Sequence, residues 1–474
     1  MSHIKFGTSG WRGIFCEEFT LENVRVVIQA IADHLHAEGL AERGIVIGYD
    51  ARFMGADFSR ETARVLAGAG IKSYFCERDT PTPVIAHEIL RRKAAGGINF
   101  TASHNPYNYN GIKFSPVTGG PALPATTNDI EKRANAMIGE IVFKDMDLKT
   151  AAEKGLFEEI DPREEYFKTL KNLINFKAIA DAGMTIAVNP LYGSGRGYLD
   201  RILEETGVKV VKINDHLDPY FGGNPPEPAE EYIQDFIGLI KGNDSIVLGL
   251  GTDGDADRFG IIDADGSYIE PNYILALLFD YMIRQKGLRG DAARSVATSH
   301  LIDAVAAHHG VKVLETPVGF KFIGEYISED KILIGGEESA GLSIKGHVPE
   351  KDGILACLLV AEMVAVEKKS LRELLADLYS RVGEIYTKRI NIHLSPQLEA
   401  GLPDKFANPP EKIGELKIVE VIRIDGNKYL LEDGSWLLFR KSGTEPVVRL
   451  YAETKRFDSL AKLIDLGREF ILGL

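Results

Sequence analysis

The chain reads as an α/β protein of four domains, and three observations point there. Short apolar strands alternate with amphipathic helices over most of the length. The passage from an apolar strand into a polar loop recurs at Thr185–Val188 (then NPLYGSGRG), Ile246–Leu250 (then GTDGDADR) and Ile332–Ile334 (then GGEESAG), one layout used three times. Beyond about Val382 the pattern changes to short strands separated by turn dipeptides. At roughly 100–200 residues per domain, 474 residues suggest two to four domains.

From the N-terminus, Leu21–Glu38 places Val24, Val27, Ile28, Ile31 and Leu35 on one helix face, with Thr20 as N-cap. Ile45–Ile47 follows as a β-branched strand ending in Gly48-Tyr49-Asp50. The charged, weakly patterned stretch Asp145–Glu159 marks a boundary, and Asp161-Pro162 reads as an N-cap with proline at the first helical position. Phe259–Ile262 and Tyr268–Ile269 flank Asp265-Gly266, a hairpin turn. Glu384–His393 is a strand and Pro396–Pro410 a polar, proline-rich stretch. Leu416–Tyr451 gives short strands turning at Asp425-Gly426 and Asp433-Gly434, and a helix near Asp458–Leu472 closes a smaller α+β domain.

Composition excludes several classes. Hydrophobic residues make up 45% and charged residues 26%, which rules out disorder and fibrous repeats. A net charge of −14 argues against general nucleic-acid binding, though not against an acidic small molecule held by a few cations. MSHIKFGTSG carries no secretory pattern, and the apolar runs Ile274–Phe279 and Ile354–Ala361 are too short to span a membrane. Cys16, Cys76 and Cys357 form neither a disulfide framework nor a zinc pattern, so a reducing cytoplasm fits.

Four polar loops could carry chemistry. Thr101–Lys113 (TASHNPYNYNGIK) reads as a loop in which Ser103, His104 and Lys113 offer a nucleophile, an acid–base group and a cation; it equally suits a capping turn. Gly251–Arg258 (GTDGDADR) sets three aspartates at alternate positions after an apolar strand. Such close carboxylates repel unless a cation neutralises them, and oxygen ligands favour Mg²⁺ or Ca²⁺ over zinc; the other reading is a solvated turn. An EF-hand is excluded because Arg258 and Ala264 occupy its obligatory Gly and Glu positions. Arg440–Arg449 (RKSGTEPVVR) combines a Ser-Gly-Thr turn with Arg440, Lys441 and Arg449, either an anion nest or a charged surface hairpin. In Gly335–Gly341 (GGEESAG), adjacent carboxylates and a hydroxyl could bond sugar hydroxyls. GTSGWRG at Gly7–Gly13 adds an arginine among small residues; neither it, nor GGEESAG, nor GSGRG at Gly193–Gly197 contains GxGxxG, and RKSGTEPVVR lacks the spacing of a P-loop.

Taken together, these loops resemble the α-D-phosphohexomutase superfamily, the phosphoglucomutase/phosphomannomutase enzymes. The likeness runs from GTSGWRG to the SGTEPVVR stretch ending at Arg449, almost the whole chain, with four motifs in the family's order. It implies a four-domain phosphohexomutase-like architecture around a central cleft: three related α/β domains and a smaller α+β C-terminal one. Their expected bounds are 1–145 (phosphoserine loop), 158–262 (metal-binding loop), 263–378 (sugar-recognition loop) and 384–474 (phosphate-binding loop).

By the same resemblance, Ser103 is the serine phosphorylated in the active enzyme, and Asp253, Asp255 and Asp257 bind Mg²⁺ together with an oxygen on Ser103. Arg258 lies beside the phosphoryl group, Arg12 joins the cations around it, and Lys113 and His104 are candidates for moving the hydroxyl proton. Glu337 and Ser339 face the sugar. Gly319 and Lys321 of TPVGFK and Lys351 of KDG line the same cleft, while Arg440, Ser442, Gly443, Thr444 and Arg449 hold a phosphate. The implied reaction interconverts hexose 1-phosphate and hexose 6-phosphate through phosphoserine and a hexose 1,6-bisphosphate. Glucose is expected first, because GGEESAG has Gly341 where dual-specificity relatives often show His; phosphomannomutase and phosphoglucosamine mutase activities are the alternatives. Outside the class, a Mg²⁺-dependent sugar-phosphate phosphatase could use Ser103 and the aspartates, but would have little use for a second anion nest. The expected partner is a small sugar phosphate, with no nucleic acid or membrane, for a cytoplasmic monomer or homo-oligomer.

Overall fold

A computed structural model describes residues 3–7, 10–139, 143–441 and 447–473. Contacts within it define two compact units, residues 1–274 with 320–371, and residues 275–319 with 372–474.

The first unit begins with a seven-stranded sheet: β1 (Phe6–Gly7), β2 (Gly10–Ile14), β3 (Ile45–Tyr49), β4 (Ser73–Cys76), β5 (Gly96–Phe100), β6 (Tyr109–Pro116) and β7 (Phe157–Ile160). Their order is β1-β2-β6-β5-β3-β4-β7, parallel from β5 to β7 and antiparallel on the β6 side. Both faces are covered, as the near-continuous apolar strands require. Ile45 and Ile47 join the core built with Ile28, Ile31 and Leu35, while Val46 packs with Ile85 and Ile89 on the opposite face. The helix Leu21–Ala37 forms as its spacing predicts, the Thr20 hydroxyl accepting from the Asn23 N–H at 3.2 Å.

Three expectations are corrected here. The stretch 145–159 is ordered: Asp147 caps a helix at Leu148–Glu153, and β7 pairs in parallel with β4, carrying the sheet past residue 145. Burial of Ile160 beside Val46 outweighs the charged composition. At Asp161-Pro162 the proline is itself the N-cap of Arg163–Leu173, and Asp161 instead accepts from the Arg163 N–H at 3.1 Å. Finally, Thr101–Lys113 is not loop throughout: β6 begins at Tyr109 and, paired on both edges with β2 and β5, holds Lys113 in its interior.

The second sheet runs β12-β11-β10-β8-β9, from β8 (Thr185–Asn189), β9 (Lys209–Lys212), β10 (Ile246–Thr252), β11 (Phe259–Asp263) and β12 (Tyr268–Ile269). Phe236, Ile237 and Ile240 of the helix Gln234–Lys241 pack with Ala187, Ile246 and Ile262. The helix Gly353–Glu367 contacts β10 and β11 from much later in the chain and is buried at every residue from Gly353 to Ala365. Gly266, at φ +80°, makes the β11–β12 turn.

The other unit holds the parallel pair β13 (Asp291–Ser295) and β14 (Val313–Thr316); the hairpin β15 (Ile332–Glu337) with β16 (Gly341–Ile344) belongs to the first unit. Its six-stranded antiparallel sheet runs β17-β22-β21-β20-β19-β18, built from β17 (Tyr386–His393), β18 (Lys412–Ile413), β19 (Leu416–Ile422), β20 (Asn427–Leu431), β21 (Trp436–Lys441) and β22 (Val447–Thr454). Leu460, Leu463, Ile464 and Ile471 of the closing helix Phe457–Leu472 join its core. The proline-rich Pro396–Pro410 contains a helix, Pro396–Ala407. Ser395 caps it and Pro396 opens it, where no intrahelical N–H is needed, and buried Leu402 anchors it despite Pro403.

Lys428 is fully buried in this unit, its ammonium donating to the Val296 carbonyl (2.9 Å) and His300 Nε2 (2.8 Å) above the Trp436 ring. An ammonium has no acceptor to offer, so His300 is held as the neutral acceptor. Burial, reinforced by Lys428 and Arg294, pushes its pKa down to about 2. Below pH 6.5 the unfolded chain therefore binds a proton that the folded chain refuses, and stability falls with pH. The loss at pH 5 reaches about 2 kcal/mol. Denaturant unfolding at pH 7 and pH 5 should show a smaller pH difference for His300→Gln than for the parent.

No helix among the described residues is long and apolar enough to cross a membrane. The three cysteines are free, Cys16 exposed and the other two buried.

Candidate active site

Ser103 sits in the turn after β5, in the left-handed region at φ +52° and 1% exposed. Such a conformation is sparsely populated for a residue with a side chain and persists only where the surroundings enforce it. Its hydroxyl donates to Asp253 Oδ2 at 2.9 Å, across 150 residues of sequence, and lies 3.4 Å from His104 Nδ1. Burial, then Arg258 and Arg12, push His104 well below the usual histidine range, leaving a neutral ring.

Asp253 follows β10 directly. With Ala256 at φ +55°, the loop brings Asp253, Asp255 and Asp257 together, all fully buried, with ligand oxygens within 4.8 Å of one another. Burial and the two neighbouring carboxylates raise Asp253 well above the ordinary range. Asp257 is instead held low, against burial, by Lys113 and Lys351, whose ammonium groups lie 2.8 and 2.9 Å from its Oδ2. Lys113 also reaches Asp255 Oδ2 at 2.5 Å, and these two carboxylates keep it protonated. Oδ1 of Asp255 and Oδ1 of Asp257 are buried without a hydrogen-bond partner. Two orphaned carboxylate oxygens beside the Ser103 hydroxyl form a donor set suited to a hard divalent cation, so the residues fit Mg²⁺.

Cations surround the cluster. Arg258 donates its backbone N–H to Asp253 Oδ1 (3.0 Å), and its guanidinium reaches Glu227 at 3.3 Å and Asp257 at 4.0 Å. Arg12, on β2 opposite Gly111, donates to Asn105 Oδ1 of the Ser103 loop. Lys351 comes in from the turn that starts Gly353–Glu367, where Asp352 caps the helix and binds Tyr166 and His347.

Glu337 ends β15 and is buried, while Ser339 is half-buried in the following turn. The Phe259 N–H donates to the Ala340 carbonyl at 3.2 Å, tying that turn to the strand after the aspartate loop. A Cβ on Gly341 would collide with Cδ of Lys351 and lie 2.7 Å from its Cγ. The glycine thus leaves room for the lysine that meets Asp257. Gly341→Ala should cost about 1–3 kcal/mol by overpacking, read as a lower unfolding midpoint. Lys321 occupies the first turn of Phe320–Ser328, its ammonium 5.3 Å from the Phe322 ring centroid.

In the second unit, Arg440 and Arg449 are directly opposed across β21 and β22. Like charges in that register repel unless an anion joins them. Arg440 donates to Asp425 Oδ2 (2.8 Å), which also accepts the Val318 N–H (3.0 Å) beside Gly319. Ser442, Gly443 and Thr444 lie outside the described residues, as do Thr8 and Ser9 of GTSGWRG.

Sequence reasoning passed over several partners. Thr82 donates to Asp255 Oδ2 at 2.5 Å and accepts from Asn99, Glu227 holds Arg258, and Asp425 appeared only as a turn residue. Asp50 and Arg52 brace the Ser103 loop; the signal was present in the polar end of β3, a fourth instance of the strand-to-loop layout.

Models of all four domains of the phosphoglucomutase/phosphomannomutase family match this chain: α/β/α domain I at residues 3–138, II at 164–266, III at 270–382 and the C-terminal domain at 398–466. The chain belongs to the phosphoglucomutase/phosphomannomutase family. This α-D-phosphohexomutase is 32% identical over 469 residues to the phosphoglucomutase/phosphomannomutase of Thermococcus kodakarensis, covering 98% of this chain and 97% of that one. It is 30% identical over 459 residues to a protein named "Probable phosphoglucosamine mutase" from Methanothermobacter thermautotrophicus, covering 95% and 94%. Its fold matches the open form of the Paramecium phosphoglucomutase parafusin with a TM-score of 0.84, at 25% identity and 98% and 94% coverage. The phosphohexomutase is thus an isomerase built from the family's four domains.

Proposed function

We propose that this phosphohexomutase interconverts hexose 1-phosphate and hexose 6-phosphate, glucose foremost, with Ser103 as the phosphoryl carrier and a hexose 1,6-bisphosphate as intermediate. The observation that carries the reading is the Ser103 hydroxyl donating to Asp253 within a buried triad that retains two partnerless oxygens.

Asp253, Asp255, Asp257 and Ser103 would hold Mg²⁺, which when bound supplies charge neutralisation for the transferring group. A loose phosphoryl transition state needs positioning and charge more than covalent assistance. Arg258 and Arg12 lie beside the cluster to meet developing negative charge. Lys113, held protonated, serves as a donor to oxygen, and neutral His104 as an acceptor near the Ser103 hydroxyl. Glu337 and Ser339 are assigned to sugar hydroxyls, Gly319, Lys321 and Lys351 to the rest of the substrate. The phosphate not being transferred is assigned to Arg440 and Arg449, with Ser442, Gly443 and Thr444. Glucose is favoured because Gly341 stands where dual-specificity relatives often show His, and Lys351 fills the space that a side chain there would need. Relatives named for mannose and glucosamine substrates make those sugars the comparison set. We place the enzyme in the cytoplasm, with the first domain carried through β7 to residue 160 and later limits near 262, 378 and 384.

The test incubates the protein with Mg²⁺, glucose 1-phosphate and a trace of glucose 1,6-bisphosphate, following glucose 6-phosphate and free phosphate, then repeats it with mannose and glucosamine phosphates. Isomerisation without phosphate release is expected. Free phosphate without isomerisation would replace the mutase by a phosphatase.

A further inference from the structure

Arg52 lies just beyond β3, 3% exposed, with its hydrogen-bonding capacity directed into one loop. One terminal nitrogen donates to the carbonyls of Pro106 (2.7 Å) and Tyr109 (3.0 Å), the other to those of Ser103 (2.7 Å) and Asn105 (2.6 Å). Its Nε donates to Asp50 Oδ2 at 3.1 Å, and Phe221 lies beneath the guanidinium, 5.0 Å to the ring centroid. Five N–H donors meet five acceptors, so the fork is saturated with no hydrogen bond spent on the aspartate triad.

The network closes on Ser103 from both sides. Asp50 Oδ2 also accepts from the Thr101 hydroxyl at 2.6 Å, and the Thr101 oxygen accepts the Ser103 N–H at 2.8 Å. Arg52 therefore holds the Ser103 carbonyl directly and its N–H through Asp50 and Thr101. These are the two backbone groups whose placement sets the left-handed turn and aims the hydroxyl at Asp253. A lysine could keep the charge, but a single ammonium cannot present the planar fork that spans four carbonyls.

We propose that Arg52 is the positioning residue for the phosphoryl-carrying serine, locking the loop 103–109 in its strained conformation so that the Ser103 hydroxyl is already aimed before substrate arrives. The proposal rests on the reading of Ser103 as the phosphoryl carrier. It assigns Arg52 a task distinct from binding, since the side chain is spent on four main-chain oxygens and Asp50.

Arg52→Lys separates this role from a general structural one. The wild type and variant, both with Mg²⁺, are compared by kcat and KM, by the mass gained at Ser103 after incubation with glucose 1,6-bisphosphate, and by hydrogen exchange across the chain. A misaimed nucleophile predicts kcat lower by about 100-fold with KM within about threefold. It also predicts slower phosphoryl uptake and faster exchange confined to 101–109. Wild-type kcat in the variant would overturn the proposal, and so would a loss accompanied by equally faster exchange throughout the first sheet. Should Arg52→Lys not fold, Phe221→Leu removes only the supporting ring and must give the same pattern in milder form, or the proposal falls. If the wild type neither isomerises nor takes up phosphate, the functional reading fails. Exchange at 101–109 would still decide whether Arg52 holds the loop.

Discussion

Ser103→Ala is expected to lower kcat by at least about 10³-fold while leaving the fold intact and weakening the Mg²⁺ response through the loss of one oxygen ligand. Removing a nucleophile removes the covalent route, and what survives comes from binding and charge stabilisation alone. The side chain lost is one hydroxyl that meets Asp253 and His104, so no cavity of consequence opens. Intact-mass measurement after incubation with glucose 1,6-bisphosphate checks the cause: the parent should gain one phosphoryl group and the variant none. A variant that still gains it would move the nucleophile elsewhere. Ser103→Thr makes a sharper companion, because it keeps the hydroxyl but adds a branched Cβ at φ +52°, where such residues are outliers.

Asp253→Asn should abolish most activity and, unexpectedly for an active-site lesion, stabilise the protein in EDTA. The metal-free site sets the Lys113 and Lys351 ammonium groups against Asp255 and Asp257, while Asp253, whose ionised form is disfavoured by burial and by Asp255 and Asp257, is compensated chiefly by Arg258. An amide removes the repulsion, and its oxygen can still accept the Arg258 N–H. Saturating Mg²⁺ should stabilise the parent by about 2.7 kcal/mol at a hundred times its dissociation constant, and the variant by far less. Melting curves with Mg²⁺ and with EDTA decide the matter. A variant that melts below the parent in EDTA would contradict this electrostatic account.

Much of the site was legible because its chemistry is local. Alternating aspartates after an apolar strand can hardly avoid converging, and Thr20 and Asp265-Gly266 act within a turn of themselves. What stayed hidden depends on partners distant in sequence. Arg52 binds main-chain oxygens, which any residue can supply, so the polar end of β3 was visible in the sequence but its partners were not. Thr82 orients Asp255 across 173 residues of chain. β7 has an unremarkable composition and becomes a strand because β4 offers a free edge. The helix Pro396–Ala407 was concealed by reading prolines as breakers where the first of them occupies a position that favours it.

The helix Gly353–Glu367 bears on how the chain is made. It is apolar on nearly every side and covers β10 and β11, yet it runs from Gly353 to Glu367 whereas β12 ends at Ile269. At translation rates of about 5–20 residues per second, the second sheet would leave the ribosome with one greasy face bare for about 5–20 s. During that interval the nascent chain is a natural client for holding chaperones. Slow synthesis between residues 270 and 353 would then harm yield more than the same delay after residue 367.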